Sequence, residues 1–192
     1  EKTASLNTSL DFGFMDNRIS GSLAYFERES IDLIYDKPLP GSTGNTSITT
    51  NVGSIKNSGI EFELNTINIE TDMFKWSTNL NITTTKNEIT ELTQESFING
   101  TKRWEVGTSL YEFFLREYAG VDSSNGKALW FKDILDAEGE ETGEKTTTDV
   151  YADATRYSTG KESLPDFQGG ITNTFIYGDF DLNVLMNFSV GA

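Results

Sequence analysis

The chain has 192 residues with no Cys and no His, 30 acidic against 15 basic residues, and a net charge of −15. Disulfides, thiolate or imidazole metal sites, Ser-His-Asp catalysis and imidazole pH sensing are all excluded. So large a negative charge argues against a nucleic-acid partner, because phosphate binding needs a basic face. Hydrophobic residues make up 36%, and the mean hydropathy is −0.41. No apolar run approaches the ~20 residues of a membrane helix, so a membrane could be crossed only by strands, whose alternation hides apolar faces from averaged hydropathy. Nothing at Glu1 resembles a secretion signal, and both ends are expected to be interior to a longer chain.

From the start of the chain, Leu6, Thr8, Leu10, Phe12 and Phe14 alternate with Asn7, Ser9, Asp11 and Gly13. This period of two predicts a strand near 5–14. Met15 to Arg18 reads as a tight turn, since Asp and Asn tolerate left-handed geometry. A second strand near 18–29 presents Ile19, Gly21, Leu23 and Tyr25 on one face and Arg18, Ser20, Ser22 and Ala24 on the other. Lys37 to Asn51, rich in Pro, Gly, Ser and Thr, is expected to be a loop. A third strand, near 58–67, alternates Ile60, Phe62 and Leu64 with Glu61, Glu63 and Asn65.

A short turn near Asn68 to Asp72 precedes a fourth strand near 75–86, with Trp76, Leu80 and Ile82 opposite Ser77, Asn79 and Asn81. Residues 88–165 are the least regular part. Tyr111 to Val121 is strand-like, Ser123 to Gly126 is a turn, and Lys127 to Lys132 could return. That hairpin is compatible with two more wall strands or with an excursion beyond a wall. At about 32 residues per strand, as in wide plugged barrels, the excursion is preferred. The last two strands, near 166–177 and 180–191, form a hairpin about Gly178-Asp179. The first presents Gly169, Ile171, Asn173, Phe175 and Tyr177. The second alternates Leu182, Val184, Met186 and Phe188 with Asp181, Asn183, Asn187 and Ser189, slipping at Leu185.

Lengths and turns point the same way. Soluble strands run about 5–6 residues, whereas strands near twelve, tilted by about 40°, rise roughly 30 Å and cross a bilayer core. Their polar faces carry small Asn, Ser, Thr, Gly and Asp, which suits a wet lumen. Short and long connections alternate strictly, as an up-and-down membrane barrel requires, with short turns periplasmic and long loops extracellular. Aromatics gather beside the short turns (Phe12, Phe14, Phe74, Trp76, Tyr177, Phe180), as in an interfacial girdle. The expected fold is all-β: about six wall strands of a larger antiparallel transmembrane barrel, with an extracellular excursion over 88–165. The outward face would be Leu10, Phe12, Leu23, Tyr25, Phe62, Leu80, Ile82, Ile171, Phe175, Val184, Met186 and Phe188.

Four motifs carry a family resemblance. Asn51, Gly53, Ile55, Asn57, Gly59, Ile60 and Glu61 fit N-x-G-x-[IV]-x-N-x-G-[IV]-E. Trp76, Asn81 and the run Asn87-Glu88-Ile89 follow. Gly120-Val121-Asp122 with Asn125-Gly126 comes next, and then Pro165, Gly169-Gly170, Asn173, Phe175 and Phe180-Asp181-Leu182. In that order they resemble the barrel of SusC/RagA-type TonB-dependent outer-membrane transporters, in its internal to C-terminal part. The family's plug and TonB box have no match here. The resemblance implies uptake of oligosaccharides or peptides across the outer membrane of a Gram-negative bacterium. It also implies a SusD-like surface lipoprotein, energy from TonB through regions outside this chain, contact with outer-membrane lipid, and no cofactor.

Three constellations could carry chemistry. Glu61 and Glu63 share a strand face, and paired carboxylates can act on a glycosidic bond. A polar lumen wall with Glu61, Glu63, Asn79, Asn81, Asn183 and Asn187 facing inward is the preferred reading, so no enzyme is expected. The acidic run Asp133, Asp136, Glu138, Glu140, Glu141 and Glu144 lacks calcium-loop spacing and reads as a solvated loop. Tyr111, Phe113, Phe114, Tyr118 and Trp130, with Asp122 and Asn125, are the candidate substrate or lid contacts, because loops carry binding residues out of proportion. Phe131 belongs to the same aromatic group. The alternative functions are a secreted, non-membrane β-protein that binds glycans or adheres, and, more weakly, an acid–base glycosidase.

Overall fold

A computed structural model describes residues 1–38, 42, 44 and 47–191. By chain contacts the described residues divide into two units: 1–97, 104–111 and 163–192 form the first, and 98–103 with 112–162 the second.

The first unit is one antiparallel sheet. Its strands are β1 (Lys2–Phe14), β2 (Ile19–Pro38), β3 (Ser47–Glu70), β4 (Phe74–Leu92) and, much later, β12 (Phe167–Tyr177) and β13 (Phe180–Val190). Their order across the sheet is β1-β2-β3-β4-β12-β13. Because β12 pairs directly with β4, from Phe74↔Tyr177 to Thr83↔Gln168, the intervening chain adds no strand to this sheet. The tight connections use left-handed backbone: Met15, Asp16 and Asn17 have φ of 52, 55 and 64, and Gly178 has φ 57.

Register turns the alternation into faces, since residues directly opposite in an antiparallel ladder point the same way. One row across the sheet reads Leu10, Leu23, Phe62, Ile82, Gly169, Phe188; the next reads Phe12, Gly21, Leu64, Leu80, Ile171, Met186. Rows of the opposite face read Ser9, Ala24, Glu61, Thr83, Gln168, Ser189 and Asp11, Ser22, Glu63, Asn81, Gly170, Asn187. The apolar face is bare: Leu10 is 66% exposed, Leu23 46% and Met186 52%. The buried hydrophobics of the whole description are Ile89 and Ala154. No second sheet packs there among the described residues.

Three glycines within these strands lie opposite phenylalanines. Phe12 is paired with Gly21, Phe26 with Gly59, and Phe188 with Gly169. A Cβ at Gly169 would overlap the Asn81 carbonyl and sit 2.8 Å from the Phe188 ring. The ring takes the space a side chain would have filled and shields an otherwise bare backbone.

The observed strands are longer than alternation alone suggested. Lys37 to Asn51 is not all loop: β2 and β3 stay paired from Ile34↔Asn51 to Pro38↔Ser47. The ladder absorbs irregularities beside Asp32, whose φ is 57, and so outlasts the polar composition. Pro40 lies outside the described residues. Likewise β4 continues through Asn87 to Leu92, so the wall extends past residue 88.

The second unit has short strands. β8 (Tyr118–Val121), β9 (Ala128–Leu135) and β10 (Glu141–Thr148) form a sheet ordered β10-β9-β8. A second sheet is ordered β11-β7-β6-β5, from β7 (Glu112–Arg116), β11 (Arg156–Glu162) and two strands only partly in this unit, β5 (Ser96–Asn99) through 98–99 and β6 (Lys102–Glu105) through 102–103. The expected single strand from Tyr111 to Val121 is therefore two, broken at Glu117 and assigned to different sheets. The acidic run is half strand: β9 and β10 turn over Asp136, whose Oδ1 accepts the Glu138 and Glu140 amides at 3.0 and 2.8 Å.

Candidate substrate-contact site

The polar face of the first unit is a hydrogen-bonded lattice of small amides and carboxylates. Asn65 Nδ2 donates to Glu63 Oε1 at 3.0 Å, and Asn79 Nδ2 donates to Asn65 Oδ1 at 2.8 Å and Glu63 Oε1 at 3.3 Å. Thr174 Oγ1 donates to Asn183 Oδ1 at 2.7 Å. Asn81 and Asn187 line a shallow recess of about 510 Å³ with Thr83, Gln168 and Ser189. Glu61 and Glu63 alternate with Phe62 and lie in successive rows of the same face. Amide contacts from Asn65 and Asn79 satisfy Glu63 within this polar lattice.

Sequence reasoning missed the fastening at the upper part of β4. Asn87, only 3% exposed, lies directly opposite Asn57 and donates to its Oδ1 at 2.8 Å. Its own Oδ1 accepts the Leu110 amide at 2.9 Å and the Ser109 hydroxyl at 3.4 Å. Beside it, Ile89 N donates to Thr108 O at 2.8 Å and Gly107 N donates to Ile89 O at 2.9 Å. Residues 107–110 thus occupy the β4 edge beyond the end of β12, so that edge is not left unpaired. The asparagines at two motif positions are a clamp. The signal was present in N-x-G and N-x-I, but the spacing alone could not reveal which asparagines meet.

The predicted contact residues of the irregular segment fall in several places. Tyr111 belongs to the first unit, where its carbonyl accepts the Ser163 amide at 3.2 Å. Phe113 and Phe114 point to opposite faces of β7. Lys102 Nζ lies 3.4 Å from the Phe113 ring centre, and the Arg103 guanidinium lies 5.6 Å from that of Phe114. Burial lowers the Lys102 pKa despite the opposing charge of Glu162.

Tyr118 and Trp130 are register partners, 5.6 Å apart edge to face, and Trp130 meets Tyr151 at 4.9 Å. Tyr118 and Tyr151 remain 54% and 53% exposed, so the three rings form an open aromatic ladder. The Arg116 guanidinium caps it 4.5 Å above Tyr151. Asp122 and Asn125 hold the turn. Asp122 accepts the Ser124 hydroxyl at 2.7 Å, the Ser124 amide at 2.8 Å and Asn125 Nδ2 at 2.8 Å, and these bonds, the hydroxyl first, lower its pKa. Phe131 lies under Lys145, which also stands 3.8 Å over Tyr157. Burial, and then the 2.6 Å bond to Asp133, push the Tyr157 hydroxyl up to about 12.

A long-stranded antiparallel wall, bare and apolar on one face and polar on the other, with an aromatic loop elaboration, defines a barrel-wall protein. The relatives narrow that class. A family profile described as TonB dependent receptor-like, beta-barrel, matches residues 1–185. TonB-dependent receptor P3 of Formosa agariphila is 31% identical over 214 residues, covering 100% of this chain and 20% of its own. TonB-dependent receptor SusC of Bacteroides thetaiotaomicron is 31% identical over 206 residues, covering 99% of this chain and 19% of its own. The solved structure of the RagAB peptide transporter superposes with a TM-score of 0.81 at 27% identity, over 98% of this chain and 21% of that one. The chain belongs to the TonB-dependent receptor β-barrel family, with its likenesses on the SusC/RagA side, and spans about a fifth of the length of these relatives.

Proposed function

We propose that this chain supplies wall and extracellular loops to an outer-membrane importer of oligosaccharides or peptides, energised through TonB and working with a SusD-like surface lipoprotein. The observation that carries the reading is the pair of faces fixed by register. Leu10, Leu23, Phe62, Ile82 and Phe188 form an uncovered apolar row, and Asp11, Ser22, Glu63, Asn81 and Asn187 a polar one. The residues Trp76 to Thr85 of β4 rise about 25 Å at a tilt of about 40°, the height of an apolar membrane band. On the outer side of that band the same face turns charged, with Lys86 bonded to Glu88 at 2.9 Å. At the turn end stand Trp76 and Phe175, stacked at 5.7 Å. The RagAB likeness supports import of peptides, and the SusC likeness a shared receptor architecture.

In this reading the even residues of β13 face lipid and Glu61, Glu63, Asn79, Asn81, Asn183 and Asn187 face the lumen. The second unit, with Phe113, Phe114, Tyr118 and Trp130, lies outside the cell against substrate or lid. The role is transport, with no chemistry on the substrate. This chain has no native Cys, so labelling can be read as a difference between each Cys variant and the unsubstituted receptor. In the full receptor on intact cells, a membrane-impermeant thiol reagent should label Lys127→Cys, label Asn187→Cys through the lumen, and leave Met186→Cys unlabelled until detergent is added. Equal labelling at 186 and 187 would point to the secreted, non-membrane alternative. Energised uptake that persists without TonB would remove the importer reading.

A further inference from the structure

Arginine is rare here, with five in the chain, at 18, 28, 103, 116 and 156. Three of the five, Arg103, Arg116 and Arg156, line one open groove of about 680 Å³ in the second unit of a chain carrying a charge of −15. Arg116 and Arg156 are direct register partners across β7 and β11. Like charges directly opposite on one face destabilise a strand pair. Among the described residues no carboxylate is bonded to either guanidinium. Arg116 donates from Nε to Ala154 O at 3.1 Å and from Nη2 to Ala152 O at 3.3 Å. Arg156 donates from Nη1 to Gly100 O at 3.1 Å. Backbone carbonyls orient both guanidiniums without cancelling their charge, and a guanidinium has five N–H donors, so donors remain on each. The next pair along the same face is Phe114 with Ser158, and Arg103 lies over that Phe114 ring.

We propose that this groove is an oxyanion site for an acidic oligosaccharide, one bearing carboxylate or sulfate groups. The planar fork of arginine matches such groups two bonds at a time, which lysine does not. The rest of the lining separates sugar from peptide. Asp133 and Glu141 face the same groove, and so do Thr155 and Ser158. A polymer charged at every unit would be repelled by the two carboxylates. A glycan whose acid groups are spaced by hydroxyls places an acid group on the arginine pair and lets Asp133 and Glu141 accept hydroxyl hydrogen bonds. Arg116 also joins the groove to the aromatic ladder, since its guanidinium caps Tyr151. Tyr118, 54% exposed, offers ring surface to a neighbouring pyranose.

The inference names a substrate class for the importer and rests on that reading for its physiological role, but not for the binding itself. The test is calorimetric titration of the full receptor in detergent with uronate, sulfated and neutral oligosaccharides of equal length, and with lipopolysaccharide. The uronate or sulfated ligand should bind at least about tenfold tighter than the neutral one, and less tightly as salt rises. Arg156→Gln should weaken that binding by about tenfold or more, the loss of a charge-assisted bond, with the melting temperature unchanged or raised. Arg156→Lys, which keeps the charge and loses the fork, should fall between. Equal affinity for neutral and acidic ligands, binding of lipopolysaccharide alone, or an Arg156→Gln variant that melts lower with unchanged affinity would each overturn the site. Uptake of peptides or neutral glycans without acidic-glycan binding defeats this inference and leaves the importer standing. Acidic-glycan binding by a receptor that performs no energised uptake does the reverse.

Discussion

The two units of this chain obey different rules. Strands of the first unit run 11 to 24 residues and hold register over nearly their whole length. Those of the second are 8 residues or fewer and break register, as between Ser158 and Glu162. In the wall, each residue is sorted by one binary question, apolar face or polar face, and a one-residue slip would put every side chain on the wrong side. In the excursion, side chains are held by particular partners: Lys102 on Phe113, Arg116 on Tyr151, Lys145 on Tyr157. A wall is specified by pattern, a loop domain by pairs.

The largest test separates the two outright. Ser163 N donates to Tyr111 O at 3.2 Å, so the ends of the segment between them are already side by side in the first unit. Replacing 112–162 with a short glycine linker should abolish uptake and lid association while the barrel still inserts. Excising only 111–132 is a poorer test, because it would strip partners from β10 and β11. Uptake by intact cells and lipoprotein pull-down from membranes are the readouts. If both survive, the excursion is packing.

Within the wall, depth should grade the cost of charge. Met186→Arg sits in the row of Leu64, Leu80 and Ile171 and should cost about 2–4 kcal/mol of stability in lipid. Val184 lies beside Asn173, which accepts from Trp76 Nε1 at 2.9 Å and Thr78 Oγ1 at 2.8 Å. That polar cluster marks the approach to the interface, so Val184→Arg should cost less, nearer about 1 kcal/mol. Asn187→Arg, on the opposite face, should cost least. Equal costs at 186 and 187, measured by denaturant unfolding in bilayers, would invert the face assignment.

The clamp comes next. Asn87→Ala would leave the part-buried Leu110 amide without its acceptor and Asn57 without its donor. A loss of about 1–3 kcal/mol is expected, with faster hydrogen exchange at Ile89 and Leu110 than at Leu80. Exchange accelerating uniformly across the sheet would mean that Asn87 serves the wall in general and not the re-entry of residues 107–110.

How much of this was legible follows from the same contrast. Alternation at Leu10 or Phe62 names a face because the strand has no other choice, and the turns at Asp16 and Gly178 announce themselves by residues that accept positive φ. Even the misfits have local causes: Asn173 is tolerable on the apolar face because Trp76 and Thr78 satisfy it. Excursion contacts left no such trace. Nothing in the run Tyr111 to Val121 reveals that Arg116 and Tyr118 enter different sheets. Nor does any spacing disclose that Arg156, forty residues on, comes to lie opposite Arg116. The aromatics were visible and their ladder was not, because Tyr151 entered no periodic pattern. Asp122 and Asn125 could be named from the sequence as contacts but not as turn partners, because turn chemistry and ligand chemistry use the same residues.

The smallest expected effect probes a single pair in the excursion. Tyr157 is held protonated by burial and by its bond to Asp133, its folded pKa pushed up to about 12 from 10.0. A group whose folded pKa lies above its unfolded value adds stability that is complete below the unfolded pKa and vanishes as pH climbs through the folded one. The excursion should therefore hold its full contribution from Tyr157 up to pH 10, and lose it between about pH 10 and 12 as the unfolded phenol ionises first. The other tyrosines absorb in the same optical window, so the reading must be a difference between the receptor and its Tyr157→Phe variant. Phenolate absorbance missing from the receptor below pH 11, and appearing only above it, would match the burial and the Asp133 contact. Ionisation of Tyr157 near pH 10, with no dependence on Asp133→Asn, would mean that the β9–β11 contact opens in solution. The pairwise packing that distinguishes the excursion from the wall would then be looser than its geometry implies.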